Sequence, residues 1–199
     1  MPIGSWVLGE AMRDLARVRA SSAHSRDLFV SVNLSALQLR LHDIVRSVES
    51  SIRSAGLPPS ALQLELTESA LTTDGDMATA LERMKRLGVQ IAVDHFGTGY
   101  SSLHRLKLLP IDALKIDRSF VDGLPSDPHD QSITRAIVAL GRTLGLTVVA
   151  EGVETVEQWI ALDEVGCQFG QGYFWSEAVP IDALIELLTN DARLATGAE

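Results

Sequence analysis

Apolar positions in this chain fall into six short strand-like runs, each closing on polar or charged residues, separated by segments of helical period. The runs are Leu28–Asn33, Leu62–Glu68, Val89–Ser102 through Asp94-His95, Ile111–Asp117, Leu146–Glu154 and Cys167–Tyr173. The third is the sharpest: an apolar strand enters Asp94-His95 and then a loop bracketed by Gly97 and Gly99. Strand bodies that end in Asn, Glu, Asp, Lys, Glu and Gln predict one polar rim on a parallel sheet, the place where α/β barrels build active sites. A rim of this composition suits divalent metal ions.

The intervening segments carry helix start and stop signals. Asp127-Pro128 opens one helix, Ile133, Ile137, Leu140 and Leu144 share one face of it, and Gly145 closes it. Thr155 and Gln158 read as a capping box, with Gly166 at the far end. Helices are also expected from about Trp6 to Ala20, from Ser35 to Gly56 ahead of Pro58-Pro59, and from Asp76 to Gly88. A first helix followed by six strand–helix alternations, ending near Leu188, implies a parallel sheet wrapped by helices. The predicted fold class is an incomplete TIM-like (β/α) barrel with about six of eight strands, the absent ones expected ahead of residue 1. It would occupy residues 1–189 as one domain, with 190–199 a polar tail. An open six-stranded sheet exposes edges and apolar interior, which predicts a homodimer or a covering partner.

At 199 residues the chain supports one full core. A formal charge of −9 argues against a broad surface for nucleic acid or anionic membrane. Cys167 is the sole cysteine, so neither an intrachain disulfide nor a cysteine-based zinc site can form, and a reducing cytoplasm fits. Cys167 is expected to be buried and inert. His24, His42, His104 and His129 show no ligand spacing. Trp6, Trp159 and Trp175 read as packing groups rather than base-stacking platforms. No apolar run approaches the length of a membrane span.

Val32-Asn33-Leu34-Ser35, Glu65-Leu66-Thr67-Glu68-Ser69, the Asp94 loop, Leu114-Lys115-Ile116-Asp117, Glu151-Gly152-Val153-Glu154 and Gln171-Gly172-Tyr173 together resemble the EAL family of bacterial cyclic-di-GMP phosphodiesterases. The resemblance runs from about Ile3 to Leu188. It implies metal-dependent hydrolysis of cyclic-di-GMP to the linear dinucleotide pGpG, with Mg²⁺ or Mn²⁺ as cofactor. It also implies that Asn33, Glu65, Asp94 and His95 are metal ligands and that Lys115, Glu151 and Gln171 are catalytic. Glu68, Gly97 and Gly99 would brace the loop after Asp94.

Read without the resemblance, Lys115 is a lysine paired with Asp112 or Asp117, Glu151 an N-cap or solvated rim group, Gln171 loop polarity, and Glu68 a helix-start carboxylate. Two departures from the family pattern stand out. The Glu-Ala-Leu signature and a nearby substrate-binding arginine have no counterpart, and His95 stands where the family has a second aspartate. Both remove negative charge or substrate contacts, which predicts weak or no hydrolysis in this form. The alternative is a non-catalytic module that binds the cyclic dinucleotide or a partner protein.

Overall fold

The structure, a computed structural model of the chain, describes residues 3–22, 25–40, 43–71, 75–99 and 103–190. Its elements are α1 (Ile3–Ser21), β1 (Val30–Asn33), α2 (Ala36–Leu39), α3 (Ile44–Ala55), β2 (Leu62–Thr67), α4 (Gly75–Leu87), β3 (Gln90–Phe96) and α5 (Leu103–Leu108). They continue with β4 (Ala113–Ile116), α6 (Arg118–Val121), α7 (Pro128–Leu144), β5 (Thr147–Glu151), α8 (Val156–Glu164), β6 (Phe169–Gln171) and α9 (Ile181–Asn190). The strands follow one another in the sheet in chain order, β1 to β6. Sequential strands joined through helices give the topology of an incomplete TIM-like (β/α) barrel, as the sequence predicts. Among the described residues no helix is long and apolar enough to cross a membrane.

Two compact units divide the chain, residues 1–64, 83–90 and 178–199 in one and residues 65–82 and 91–177 in the other. In the first, α1 buries Leu8, Met12, Leu15 and Val18, a stripe at helical spacing, and packs against α3, β1 and α9. The facing stripe on α3 is Ile44, Val45, Val48 and Ile52. Arg17 pairs with Asp182 of α9 at 2.5 Å, and Arg19 Nε donates to the Leu28 carbonyl at 2.7 Å. Trp6, expected to pack, is 54% exposed, because the buried stripe of α1 starts at Leu8 and passes it by.

The helix expected over Ser35–Gly56 is two helices. Ser35 and Gln38 form a reciprocal capping box on α2, which lasts one turn, and Asp43 takes the N-cap of α3. Asp43 makes no side-chain capping bond there; its carboxylate lies 3.6 Å from Arg46 on the first turn, and aspartate is a poor helix-interior residue. Gly56 then closes α3 at φ +66°.

In the second unit β4 is buried along its whole length, and its register is Ala113 against Thr147, Leu114 against Val148, Lys115 against Val149 and Ile116 against Ala150 on β5. A strand buried on both faces reads as a continuous apolar run, which leaves Lys115 as the one charged member. On α7 the buried residues are Thr134, Ile137, Val138 and Gly141, whereas Ile133 is 37% exposed. The predicted face of α7 is therefore rotated. Gly141 explains the rotation: a Cβ there would sit 2.2 Å from Val148 Cγ2, so the helix lies closest to β5 where it has no side chain. Asp127 caps α7 by accepting from the His129 N–H, and Gly145 closes it at φ +70°, both as predicted. The capping box of Thr155 and Gln158 on α8 is also present.

Trp159 and Trp175 meet edge to face at 5.2 Å over Gly170 of β6, whose Cβ would lie 2.4 Å from the Trp175 ring. Cys167 is buried as expected, and its Sγ lies 3.4 Å from the Phe169 carbonyl. His129 is exposed, while His24, His42 and residues 191–199 of the predicted tail lie outside the described residues. Asn190 belongs to α9.

Two stability predictions follow from this packing. Gly141→Ala gains about 1 kcal/mol of helix propensity, but overpacking against Val148 costs about 1–3 kcal/mol; urea unfolding should show net destabilisation. Burial pushes the Cys167 thiol from 9.0 up to about 11. A folded pKa above the unfolded one gives stability that is present below about pH 9 and lost as pH rises towards about 11, amounting to about 2–3 kcal/mol. Urea unfolding of the wild-type chain and Cys167→Ala across that range should show the two stabilities converging or crossing as the wild-type advantage falls.

Candidate active site

Lys115, at the third position of β4, has its ammonium Nζ 2.8 Å from Glu65 Oε1, 2.5 Å from Glu151 Oε1 and 4.0 Å from Asp94 Oδ1. Glu65 lies on β2, Asp94 on β3 and Glu151 at the end of β5. Lys115, Glu65 and Asp94 are each about 95% buried, and Glu151 is slightly more open. Buried charges persist only when paired, and one ammonium here serves three carboxylates. Burial, the strongest single influence on Lys115, pulls its pKa down, but hydrogen bonds to Glu151 and Glu65 override it and the net shift is upward. Burial likewise raises the Glu151 pKa, with Lys115 acting against it. Lys115 is thus a protonated cation that holds Glu65 and Glu151 together, and its partners are not the Asp112 or Asp117 that sequence proximity suggests. Asp112 instead accepts from the Ile91 N–H at 2.8 Å.

Asp94 and His95 sit where β3 breaks register. Val93 pairs with Leu114 and Phe96 with Ile116, so β3 carries one more residue than β4 over this stretch. His95 adopts φ +54°, the only positive φ at a non-glycine among the described residues. In a regular strand neighbouring side chains point to opposite faces. The bulge and the left-handed turn bring both to one side, with His95 Nε2 3.5 Å from Asp94 Oδ2. Asp94 also accepts from the His95 N–H at 2.9 Å.

His95 Nδ1 lies 2.5 Å from Asp117 Oδ2. The other Asp117 oxygen accepts from the Ser119 N–H at 2.9 Å and from Ser119 Oγ at 2.6 Å. The hydrogen bond to Asp117, with Asp94 contributing through space, raises the His95 pKa. Burial pushes Asp117 up, but its bonds to Ser119 and His95 leave it lowered on balance.

Beyond the bulge, Glu68 Oε2 accepts from the Gly97 N–H at 2.9 Å and the Gly99 N–H at 3.3 Å. Glu68 also begins a short 3-10 turn, Glu68–Ala70, so the loop contact and the helix-start position coincide in one carboxylate. Gly97 needs its φ of +101°, whereas Gly99 has no left-handed backbone. A Cβ on Gly99 would sit 3.0 Å from Glu68 Oε1, so that glycine provides room for the carboxylate rather than a turn.

On the last strand Gln171 is in register with Glu151. The two line a cleft of about 290 Å³ with Arg118, Gly152, Glu154, Gly172 and Tyr173. Gly172 allows the close approach of two backbones here, since a Cβ would lie 2.0 Å from the Val153 carbonyl oxygen. Arg118 pairs with Glu154 at 2.7 Å and Asp122 at 3.2 Å. Asn33 ends β1 in the other compact unit. Nine of the ten predicted positions, all but Asn33, thus lie in the second unit.

Sequence reasoning passed over Asp117 as a site member, and Arg118, Glu154 and Tyr173 as cleft residues. Asp117 had a signal: Asp two residues before Ser at the start of α6 is an N-cap pattern, which fixes the carboxylate at the strand end.

Residues 1–178 match the EAL domain family. The chain belongs to that family. It is 44% identical over 94% of its length to cyclic di-GMP phosphodiesterase NbdA of Pseudomonas aeruginosa, covering 24% of that protein. It is 46% identical over 92% of its length to the bifunctional diguanylate cyclase/cyclic di-GMP phosphodiesterase MucR of the same organism, covering 27% of it. The chain therefore spans about a quarter of the length of these curated relatives. Among solved structures, the PaMucR phosphodiesterase in complex with c-di-GMP superposes with a TM-score of 0.86 at 45% identity, covering 92% of this chain and 73% of that one.

Lys115→Met should cost about 3–5 kcal/mol, because it strands buried carboxylates without their counter-charge. Urea unfolding in chelator checks this, and adding Glu65→Gln to the variant should recover part of the loss through a measurable coupling energy.

Proposed function

We propose that this EAL domain is a cyclic-di-GMP phosphodiesterase that opens the cyclic dinucleotide to linear pGpG in the presence of Mg²⁺ or Mn²⁺, with low turnover. The observation that carries this reading is the buried Lys115 ammonium bridging Glu65 and Glu151 with Asp94 at 4.0 Å. Three carboxylates against one ammonium leave the rim with net negative charge, and the donor atoms of Asp94, His95 and Glu151 all fall within 4.8 Å of one another. That donor set fits a divalent ion, with Glu65, Asp94 and His95 as the proposed holders and Glu151 within reach of it. When bound, such an ion polarises phosphoryl oxygens and makes water more acidic.

Each side chain then has a task. Glu151, whose pKa burial raises, takes the proton from the attacking water. The water oxygen bonds to phosphorus as the bond to the 3′ oxygen breaks, and that oxygen leaves as a hydroxyl after taking a proton from solvent. Lys115 offsets the negative charge that builds on the phosphoryl group. Glu68 fixes the loop after Asp94 through the Gly97 and Gly99 N–H groups. Gln171 orients the water from beside Glu151, and the exposed Tyr173 ring in the cleft offers a face for a guanine. Low turnover follows from His95, which supplies a neutral nitrogen where the family resemblance implies a carboxylate. A cytoplasmic setting and a second copy or covering partner complete the reading; the exposed Val156, Ile160 and Phe169 around α8 and β6 support the latter.

A second reading, nucleotide binding without hydrolysis, is favoured by the same His95 substitution. Chromatographic detection of pGpG from purified chain with Mg²⁺ and then Mn²⁺, alongside calorimetric binding of cyclic-di-GMP, separates the two. The expected result is slow pGpG formation that Glu151→Gln lowers by about 10²–10⁴-fold. Binding without product would establish the second reading. Neither binding nor product would overturn both.

A further inference from the structure

We propose that His95 turns this rim into a nitrogen-bearing metal site that discriminates against Mg²⁺ in favour of first-row transition ions such as Co²⁺ and Zn²⁺, with Asp117 as its positioning residue. The inference rests on the divalent-ion part of the functional reading and is independent of hydrolysis. Its first support is orientation. The bulge in β3 and the left-handed backbone at His95 turn the imidazole to the same side as Asp94. A non-glycine residue in that backbone region carries a strain of about 1–3 kcal/mol unless its surroundings hold it there. Here they do: Nδ1 is tied to Asp117 at 2.5 Å, and Asp117 is itself fixed by two bonds from Ser119.

The second support is the identity of the free ring atom. An ionised carboxylate only accepts, so Nδ1 is the donor and the lone pair of the neutral ring is on Nε2. Nε2 is the atom that faces Asp94 Oδ2 at 3.5 Å, and one donor atom each from Asp94, His95 and Glu151 lie within 4.8 Å of one another. An imidazole whose other nitrogen donates to a carboxylate is the usual arrangement of a histidine that ligates a metal, and the carboxylate makes the ligand nitrogen more basic. Mg²⁺ takes oxygen donors in strict octahedral geometry, whereas imidazole suits the later first-row ions. One nitrogen in place of a carboxylate oxygen therefore shifts selectivity, with Lys115 already answering part of the charge on Glu151. Any mixed site prefers Co²⁺ to Mg²⁺ to some degree, so the quantity His95 sets is the ratio relative to an all-oxygen version of the same rim.

The test titrates the folded chain with Co²⁺ alone and Mg²⁺ alone, following the visible absorption of Co²⁺ and its displacement by Mg²⁺. His95→Asp should lower the Co²⁺-over-Mg²⁺ preference about tenfold or more. Asp117→Asn should weaken Co²⁺ about 10–100-fold while leaving Mg²⁺ affinity little changed, which a merely structural role for Asp117 would not produce. In the wild-type chain, Zn²⁺ should move the ¹⁵N resonance of His95 Nε2, a readout that needs no variant. An unmoved Nε2 resonance, or the same metal preference in His95→Asp, overturns the inference. Mg²⁺-supported pGpG formation with an unmoved Nε2 would sink this inference and leave the functional reading standing; metal discrimination without any hydrolysis would do the reverse.

Discussion

A single buried ammonium organises the chemistry of this chain. Lys115 sits in the middle of a strand otherwise built from apolar residues, and the surrounding sheet admits it only because Glu65 and Glu151 converge on it from β2 and β5. The dependence is mutual. Without Lys115 the two carboxylates would face each other and Asp94 in a poorly solvated space, and without them the ammonium would lose its proton or leave the core. Hydrogen bonds to both partners outweigh the desolvation of Lys115, so the pair interactions, not solvent, set its charge. A rim held this way has fixed positions and an excess of negative charge, the two properties a cation site requires.

The second organising constraint is backbone geometry at Asp94-His95. A strand delivers alternate side chains to one face, so two adjacent residues cannot both serve one cluster unless the strand is interrupted. The extra residue of β3 and the positive φ of His95 are that interruption. Its downstream consequence is the loop at Gly97 and Gly99, whose N–H groups are gathered by one oxygen of Glu68. Asp94 and Glu65 report to Lys115, while His95 reports to Asp117, so the bulge splits β3's polar end into two connected networks.

Much of the architecture was legible because period and punctuation agreed. All six strands lie within the runs that apolar pattern marks, and the starts and stops of α7 and α8 follow from Asp127, Gly145, Thr155 and Gln158. The rim was legible because strand ends carry function in parallel sheets, and that placed Glu65, Asp94, Lys115, Glu151 and Gln171 together in one unit. What pattern misses is register and approach distance. The face of α7 is chosen by a helix–strand contact at Gly141, which no apolar count contains. The start of α3 falls at Asp43, whose side chain makes no capping bond, so only the buried stripe Ile44, Val45, Val48 and Ile52 marks it, and a stripe of that kind fits one long helix equally well. The partners of Lys115 come from strands far away in sequence, so proximity along the chain pointed to the wrong aspartates.

Asp117 shows why such a residue is hard to see and why it matters. One of its oxygens caps α6 through Ser119, a purely structural task that sequence can suggest. Its other oxygen orients His95, a task visible only once the bulge has turned the imidazole towards it. Because both bonds draw on the same carboxylate, the start of α6 and the aim of the His95 ring are mechanically linked. A helix that begins one residue later would release the ring, and a ring that swings away would leave the cap with a half-used carboxylate. The position of His95 Nε2 beside Asp94 is therefore set by secondary structure 22 residues away in sequence, not by the loop that carries it.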